Sequence, residues 1–303
     1  MFKTFPEFSK LTLADKDEYE ALVKDYPPCA DLEFCGLLTW WDTGHTSISL
    51  LNGNIVLSYW LPGDEKNSGL AFIGTNDVDE SMCAIFDYLR EKGEKPRIVN
   101  IPDFVMANIS YPEMFNCKSQ RCHDEYLLDT SNYYPLNNMP AVWRSKVKRK
   151  IAGLDETKFE LKNLDLSKPQ NRYLLLTSLV DWQAKNVNNL GKHEEEACLK
   201  AIMHASQLGL DNVCMFVDGH LYGFCLYNRA NDRQLTSLYI KATNNRTVGY
   251  AIMLYILAKW AQEQGFETAN ICSDCGVLQL RMFMLTLGPV NFYRKYSIEP
   301  ANT

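Results

Sequence analysis

A strand-like segment that passes through a turn of small residues into an apolar helix constrains this fold more than any other part of the sequence. The strand covers residues 235–240, the turn begins at Lys241 and reaches Ala251, and the apolar helix continues through residues 252–261. A strand that leads into a helix in this way leaves the backbone N–H groups of the first helical turn free at the positive end of the helix dipole. The sequence therefore predicts an anion site at this turn, and phosphate is the ligand it favours.

The elements around this turn predict an α/β domain. A hairpin is indicated by Asp218-Gly219, because both residues of a two-residue turn must adopt left-handed backbone conformations. The predicted order is a basic helix, a strand, two helices, three antiparallel strands, the helix after the turn, a strand, a helix and a last strand. These segments are residues 141–151, 158–161, 171–185, 194–207, 212–217, 220–227, 235–240, 252–261, 268–272, 278–287 and 291–296.

The length of 303 residues suits two domains of ordinary size. Residues 1–136 also alternate strands and helices, with Asn52-Gly53 as a second hairpin signal, and the polar segment 131–140 is the best candidate for a linker. We therefore predict domains at residues 1–136 and 137–303. Residues 1–135 carry 11 Lys and Arg against 22 Asp and Glu, whereas residues 136–303 carry 20 against 15. An anionic ligand is thus expected in the second domain, unless the asymmetry is a chance difference between domains.

The sequence shows neither the basic and apolar segments of a signal peptide nor an uncharged apolar run of membrane-spanning length. We expect a cytoplasmic, soluble protein without stable membrane insertion. Most of the ten cysteines lie in apolar surroundings and are expected to be reduced core thiols. Cys272 and Cys275 have redox or zinc spacing, but no second pair stands nearby, so no metal is expected. The five histidines form no Ser/His/Asp or Cys/His pattern that would support nucleophilic catalysis.

The order of elements, together with Arg246-x-x-Gly249-x-Ala251, resembles the GNAT-type acyl-CoA acyltransferases. Further motifs resemble one branch of that superfamily, the C-terminal domain of phosphatidylglycerol lysyltransferase and its stand-alone relatives, over nearly the whole chain. These motifs are Phe5-Pro-Glu-Phe8, Asp31-Leu-Glu-Phe34, Trp40-Trp41, Glu125-Tyr126, the basic run Lys146-x-Lys148-Arg149-Lys150, Lys241-Ala242, the stretch from Asn270 through Asp274 to Gly276, and Leu280-Arg281. Two residues depart from the family pattern, because Ile240 and Ser273 stand where acidic residues are usual.

The resemblance implies two tandem GNAT-like domains, each with a mixed, mostly antiparallel sheet flanked by helices. It also implies that backbone amides of the turn hydrogen-bond the phosphate of a carrier, which requires a small residue at Gly249. Close helix packing on the sheet is the alternative reason for that glycine. The cofactor-binding residues would be Arg246, Thr247, Val248, Gly249, Tyr250 and Ala251.

The same resemblance suggests catalytic and substrate-binding residues. Tyr293 is the positional candidate for the acid that protonates the leaving group, or else a core tyrosine. Asp274 is a candidate base or amine-binding carboxylate, or else a cap of the next helix. Lys241, Asn270 and Arg281 are candidates for substrate binding, and the two basic residues are equally suited to internal ion pairs.

A basic run forms one face of the helix predicted at residues 141–151. Lys148, Arg149 and Lys150 are its most concentrated part, and they are candidates for phosphate or RNA contact, with a solvated helix face as the alternative.

The leading hypothesis is transfer of an acyl or aminoacyl group from acyl-CoA or aminoacyl-tRNA to an amine or hydroxyl. The first alternative is a catalytically silent scaffold that binds a nucleotide, RNA or protein, which the departure at Ile240 favours. Aminoacylation of phosphatidylglycerol itself is disfavoured by the net charge of −6 and would need a membrane partner.

Overall fold

The computed structural model describes residues 1–40, 46–59, 69–152, 159–184, 189–242 and 246–301. The helices are α1 (Lys16–Val23), α2 (Phe34–Thr39), α3 (Val78–Glu91), α4 (Asp103–Met106), α5 (Ala141–Ala152), α6 (Pro169–Ala184), α7 (Asn189–Leu208), α8 (Arg246–Glu263) and α9 (Leu278–Thr286). The strands are β1 (Ser9–Lys10), β2 (Ser47–Leu51), β3 (Asn54–Tyr59), β4 (Gly69–Ile73), β5 (Ile98–Pro102), β6 (Phe115–Ser119), β7 (Glu125–Asp129), β8 (Phe159–Lys162), β9 (Asp211–Val217), β10 (His220–Arg229), β11 (Gln234–Ala242), β12 (Thr268–Ser273), β13 (Asn291–Tyr293) and β14 (Lys295–Pro300).

Two seven-stranded sheets organise the chain. The first has the order β1-β2-β3-β4-β5-β14-β6, and the second has the order β8-β9-β10-β11-β12-β7-β13. Most neighbouring strands in each sheet run antiparallel, whereas β4 with β5 and β11 with β12 are parallel. Helices pack on both sheets, so the predicted α/β class with two mostly antiparallel sheets is confirmed.

Each sheet contains one strand from the other half of the chain. Strand β14, near the C-terminus, lies between β5 and β6 of the first sheet. Strand β7, which the sequence assigned to the first domain, lies between β12 and β13 of the second sheet. In strand order the two sheets therefore repeat one pattern, and each receives its sixth strand from the opposite half.

This exchange gives the compact units different bounds from the predicted domains. The first unit comprises residues 1–124 and 293–303, and the second comprises residues 125–292. The predicted domain boundary near Asn137 lies after β7, whereas the second compact unit begins before β7. The prediction missed this because the sequence does not reveal that β7 pairs with β12. The exchanged strands are fixed by backbone hydrogen bonds to partners far away in the sequence.

Both predicted hairpins are present, and the backbone geometry of each turn explains why its two central residues are Asn-Gly or Asp-Gly. Asn52 and Gly53 connect β2 to β3 with φ values of 52° and 77°, and Asp218 and Gly219 connect β9 to β10 with 51° and 76°. Positive φ at both central residues is the mark of the tight turn whose twist matches that of the strands.

The core of the second unit forms around α8. Residues on every side of this helix are buried, among them Ala251, Ile252, Met253, Leu254, Ile256, Leu257, Ala258 and Ala261. The helix contacts β10 and β11 on one side and α5 on another. A helix enclosed over most of its surface needs few polar residues, which explains the largely apolar sequence seen after the turn.

Candidate functional site

The end of β11 is where the second sheet opens. The parallel pairing of β11 with β12 runs only from Gln234 opposite Thr268 to Thr236 opposite Asn270. Strand β11 continues beyond Thr236 to Ala242, and its register against β10 shifts at Tyr227. The paired ladder of β11 and β12 therefore stops well before β11 ends. In α/β sheets, ligands bind outside the carboxyl ends of strands at such a point.

The N-terminus of α8 follows closely after the end of β11 in the sequence. Residues 243–245 and the side chains of Arg246 and Thr247 lie outside the described part of the structure, but α8 begins at Arg246. No residue in its first turn is acidic. Gly249 and Ala251 are buried, and Val248 and Tyr250 are half-buried. The positive end of the α8 dipole is thus not neutralised by carboxylates of its own first turn.

A second glycine, which sequence reasoning missed, lets α8 approach the sheet. A Cβ atom on Gly223 would stand 2.6 Å from the Lys241 carbonyl oxygen and 2.8 Å from Met253 Sδ. Gly223 in β10 therefore allows a close approach of both the end of β11 and the middle of α8. The signal in the sequence is a single glycine inside an apolar strand, which is typical of a close backbone approach.

Lys241 is an internal ion-pair partner. Its side chain is fully buried, and its ammonium group donates to the Glu194 carboxylate on α7. The Nζ atom also lies 3.8 Å from the centroid of the Trp182 ring on α6. A buried ammonium needs such compensation for its lost hydration. Nothing local in the sequence identifies Trp182 or Glu194 as partners of this lysine, and they were not predicted.

Asp274 is the fully buried centre of a polar cluster. It accepts hydrogen bonds from Tyr126 Oη at 2.6 Å, from Arg281 Nε and Nη2 at 2.9 Å each, and from the Gly276 N–H at 2.9 Å. Burial works to raise the pKa of Asp274, but the bonds from Arg281, Tyr126 and Gly276 outweigh it and hold the pKa below its ordinary value.

Four donors occupy the acceptor positions of this carboxylate, which favours a structural role over that of a base. Asp274 also does not cap α9 with its side chain, because the N-cap position is Val277.

Asn270 is also committed to the fold. Its Nδ2 donates to Glu125 Oε2 at 2.6 Å, and its Oδ1 accepts the Cys272 N–H at 2.9 Å. Both Asn270 and Glu125 are fully buried. This contact joins β12 to the exchanged strand β7, so Asn270 and Asp274 both hold β7 in the second sheet.

Tyr293 lies apart from the turn. It is the last residue of β13, the edge strand of the second sheet, and is half-buried. Strands β7 and β12 separate β13 from β11, which corresponds to about 14 Å across three strand spacings. The structure thus brings the turn, Lys241 and Gly223 together and places Tyr293 at the far edge of the sheet.

Helix α5 carries the predicted basic face beside α8. Trp143 and Val147 are buried, whereas Lys148, Arg149 and Lys150 are exposed. The side chain of Trp143 donates through Nε1 to Thr286 Oγ1 on α9 at 3.0 Å. The cations therefore project from a firmly anchored helix that contacts α8.

The predicted cysteine pair consists of Cys272, within β12, and Cys275, just after that strand. Cys272 donates through Sγ to the Ser237 carbonyl at 3.4 Å, and Cys275 is exposed. In the described part of the chain, no three His, Cys, Asp or Glu side chains are placed to hold a metal ion. Among the described helices, none has the length and apolar character needed to cross a bilayer.

Comparison with known proteins identifies the fold. No protein-family model and no curated protein sequence matches this chain. A solved structure of a conserved protein from Bacteroides thetaiotaomicron is 21% identical over 96% of this chain and 98% of its own, with a TM-score of 0.78. The C-terminal domain (DUF2156) of a predicted lysylphosphatidylglycerol synthetase from Agrobacterium fabrum is 12% identical over 96% and 93%, with a TM-score of 0.60.

A third solved structure, L-PGS from Bacillus licheniformis, is 14% identical over 95% of this chain and 93% of its own, with a TM-score of 0.56. The protein has the fold of these synthetase domains. The resemblance predicted from the sequence motifs is thereby confirmed at the level of the fold, and it extends over both units.

Proposed function

We propose that the second unit transfers an acyl or aminoacyl group from a phosphate-bearing carrier, acyl-CoA or aminoacyl-tRNA, to an amine or hydroxyl. The observation that carries this proposal is the turn from β11 into α8, where the sheet opens beside a helix N-terminus without acidic residues. Solved structures with the same fold include L-PGS and a predicted lysylphosphatidylglycerol synthetase domain, which supports the same class of reaction.

The residues at the turn fit a phosphate group. The helix dipole and the first backbone N–H groups of α8 favour an anion, and Gly249 has no side chain to obstruct it. Arg246 begins the helix, and the exposed cations of α5 extend from a helix that contacts α8. We assign carrier-phosphate binding to residues 246–251, with Lys148, Arg149 and Lys150 as additional contacts for a longer carrier such as tRNA.

The reaction would proceed by direct attack. The acceptor nitrogen or oxygen forms a bond to the carbonyl carbon, the bond from that carbon to the carrier sulfur or ribose oxygen breaks, and the acceptor proton passes to the leaving group. Lys241 would support this site by holding the end of β11 through Glu194, rather than by touching the substrate. Asp274 and Arg281 would keep β12 and α9 in place. Tyr293 was the predicted acid, but it lies at the far edge of the sheet from the turn, so its role is a prediction for the turnover experiment below and the transfer step does not depend on it.

A binding scaffold without turnover is the second candidate. It is favoured by the commitment of Lys241, Asn270, Asp274 and Arg281 to contacts within the protein. The two candidates share the phosphate site and differ in chemistry, so ligand binding and turnover must be measured separately.

Thermal unfolding with ligands tests the phosphate site. A ligand at the turn stabilises the folded protein by mass action, so acetyl-CoA, CoA or charged tRNA should raise the melting temperature. Gly249→Glu should abolish the rise, whereas Gln264→Glu, about 20 Å further along the α8 axis, should preserve it. If none of these compounds shifts the melting temperature of the parent protein, the proposed site is wrong.

Turnover separates the transferase from the scaffold. Release of free thiol from acetyl-CoA, or of deacylated tRNA, should be measured with an amine acceptor for the parent and for Tyr293→Phe. Loss of turnover with an unchanged melting temperature and unchanged ligand binding would establish Tyr293 as the acid. Full activity of Tyr293→Phe would exclude that role, and binding without any turnover would favour the scaffold.

A further inference from the structure

Strand β5 of the first sheet departs from regular pairing around Asn100. Among the described residues, its parallel pairing with β4 joins only Leu70 to Ile98. Its register against β14 shifts between Tyr296 and Ile298. Asn100 lies at this break and has a φ of 54°, which is uncommon for a residue other than glycine. Strained backbone of this kind is concentrated at functional sites, so the break in β5 is a candidate binding site.

The side chain of Asn100 holds a buried hydrogen-bond acceptor. The residue is 1% exposed, and within the described part of the chain its Oδ1 accepts no hydrogen bond. The second sheet offers a comparison, because Asn270 is the third residue of β12 as Asn100 is of β5, and each strand is fifth in its sheet. Asn270 Oδ1 accepts the Cys272 N–H. The second sheet thus satisfies this acceptor internally, whereas the first sheet keeps it for another donor.

A carboxylate with an incomplete set of donors is linked to Asn100 through a chain of hydrogen bonds. Gln120 Oε1 accepts the Asn100 N–H at 2.6 Å, and the Gln120 N–H donates to the Lys295 carbonyl at 2.8 Å. The Lys295 N–H donates to Asp124 Oδ1 at 3.0 Å. Asp124 is buried, and its Oδ2 lies 3.8 Å from Arg121 Nε, which is too far for a hydrogen bond. Burial raises the pKa of Asp124, because the Lys295 N–H and Arg121 offset only part of the lost hydration.

The charges around Asp124 favour a cationic ligand. The ammonium group of Lys295 is buried nearby, but it lies 3.5 Å from Asp31 Oδ2 and is already paired. Glu33, two residues after Asp31, is a further buried carboxylate. Residues 1–135 carry 22 Asp and Glu against 11 Lys and Arg, so the wider field has the same sign. Because Asp31 and Arg121 are only half-buried, this polar cluster extends to the protein surface.

We propose that the first unit binds the ammonium group of a small primary amine between Asn100 and Asp124. An ammonium group has three N–H donors and no acceptor, so an amide oxygen and a carboxylate suit it. The bond to Asp124 is charge-assisted and is the stronger of the two. Because Asn100 is almost completely buried, an ammonium on an unbranched chain fits better than a bulkier cation. The site lies within residues 1–124 and 293–303 and does not depend on the carrier site proposed for the second unit.

Water and a metal ion suit this cluster less well than an ammonium group does. A water molecule would donate to Asn100 Oδ1 but would leave the charge of Asp124 uncompensated. A divalent cation needs several oxygen ligands at once. In the part of the chain that the structure describes, no three His, Cys, Asp or Glu side chains are placed to hold one. An ammonium group provides both the positive charge and the hydrogen-bond donors.

Thermal unfolding of the whole protein tests the proposal. n-Butylammonium chloride should raise the melting temperature of the parent until the site is saturated, because a ligand stabilises the folded state by mass action. Sodium chloride at equal ionic strength, n-butanol and sodium butyrate should not. Asp124→Asn should weaken butylammonium binding about tenfold, because it removes a charge-assisted bond. Asn100→Gly removes the Oδ1 acceptor and should weaken binding about fivefold.

Each variant has a matched control that should bind butylammonium as the parent does. Asp87→Asn is the control for Asp124→Asn, because Asp87 is exposed and also lies three residues from an arginine with which it pairs. Asn52→Gly is the control for Asn100→Gly, because Asn52 has a φ of 52° and is exposed. Both test variants should fold, as circular dichroism would show. Burial already disfavours the charged form of Asp124, and glycine adopts the left-handed conformation freely.

Three results would overturn the proposal. The first is no rise in the melting temperature of the parent with butylammonium, which would mean that the acceptors bind ordered water only. The second is an equal rise with sodium chloride or n-butanol, which would mean that the ammonium group is not recognised. The third is unchanged affinity in either Asp124→Asn or Asn100→Gly, which would place the amine elsewhere.

Discussion

The two units contain the same strand-to-helix turn, but they give it opposite chemistry. In each sheet the turn follows the fourth strand in sheet order, which is also the first strand of the parallel pair. Strand β4 leads towards α3 in the first unit, and strand β11 leads towards α8 in the second. The first turn of α3 contains Asp79 and Glu80, whereas the first turn of α8 contains no acidic residue. An anion would be repelled at α3 and attracted at α8.

The turn before α3 is also filled by the protein itself. Asn54 accepts the Asn76 N–H at 3.0 Å and donates to the Asn76 carbonyl at 2.7 Å. Its side chain lies so close to Gly74 that a Cβ atom there would stand 2.1 Å from Asn54 Oδ1. One topology thus supports an internally satisfied turn before α3 and, as proposed above, an anion-binding turn before α8, and the local side chains decide which.

Removing the side chain that fills the first turn should have the largest effect. Asn54→Ala removes a fully buried side chain together with its hydrogen bonds to the Asn76 backbone and to Ser81, and it should lower the free energy of unfolding by about 3 kcal/mol. Chemical denaturation of the parent and variant measures this. Asn108→Ala is the matched control, because Asn108 is exposed and donates only to the Phe104 carbonyl. A loss under about 1 kcal/mol would mean that Asn54 does not hold the turn.

The close approach beneath the second turn should matter slightly less. Gly223→Ala places a methyl group against the Lys241 carbonyl and should cost about 2 kcal/mol, because a backbone atom cannot move aside cheaply. Gly93→Ala is the control: it has φ of 72° but nothing within 4 Å of the new Cβ, so it tests backbone strain alone. Equal losses in the two variants would contradict a role for packing at Gly223.

The Asp274 cluster predicts a pH dependence confined to the second unit. The pKa of Asp274 is lowered from 3.8 in the folded state, so its stabilising contribution is complete above that value and is lost as pH falls through the folded pKa. Asp274→Asn should cost about 1.5 kcal/mol at neutral pH. The difference in unfolding free energy between parent and variant should shrink below pH 3.8. A difference that is constant from neutral to acidic pH would contradict the ionised cluster.

The sequence predicted local structure well and distant pairing poorly. Asn52-Gly53 and Asp218-Gly219 determine their turns within two residues, and the alternation of buried and basic positions in α5 is visible in one segment. The contacts of Asn270 with Glu125 and of Asp274 with Tyr126 join residues 145 and 148 positions apart. Because such pairs leave no periodic pattern, neither the exchange of β7 nor the internal role of Asp274 was predictable from composition or spacing. For the same reason, the partner of Lys241 became known only from the packing of α7.

The smallest expected change in stability is the most informative about the comparison. Thr247→Asp gives α8 an acidic residue in its first turn, as α3 has in Asp79. A carboxylate near a helix N-terminus is favourable, so the free energy of unfolding should rise by about 0.5 kcal/mol. The same charge would repel a phosphate, so stabilisation by acetyl-CoA, CoA or tRNA should disappear in thermal unfolding. Thr247→Ser is the neutral control and should retain it. A stabilised variant that still gains stability from the ligand would place the phosphate elsewhere. Because the variant should be more stable than the parent, a loss of ligand binding could not be attributed to a loss of folding.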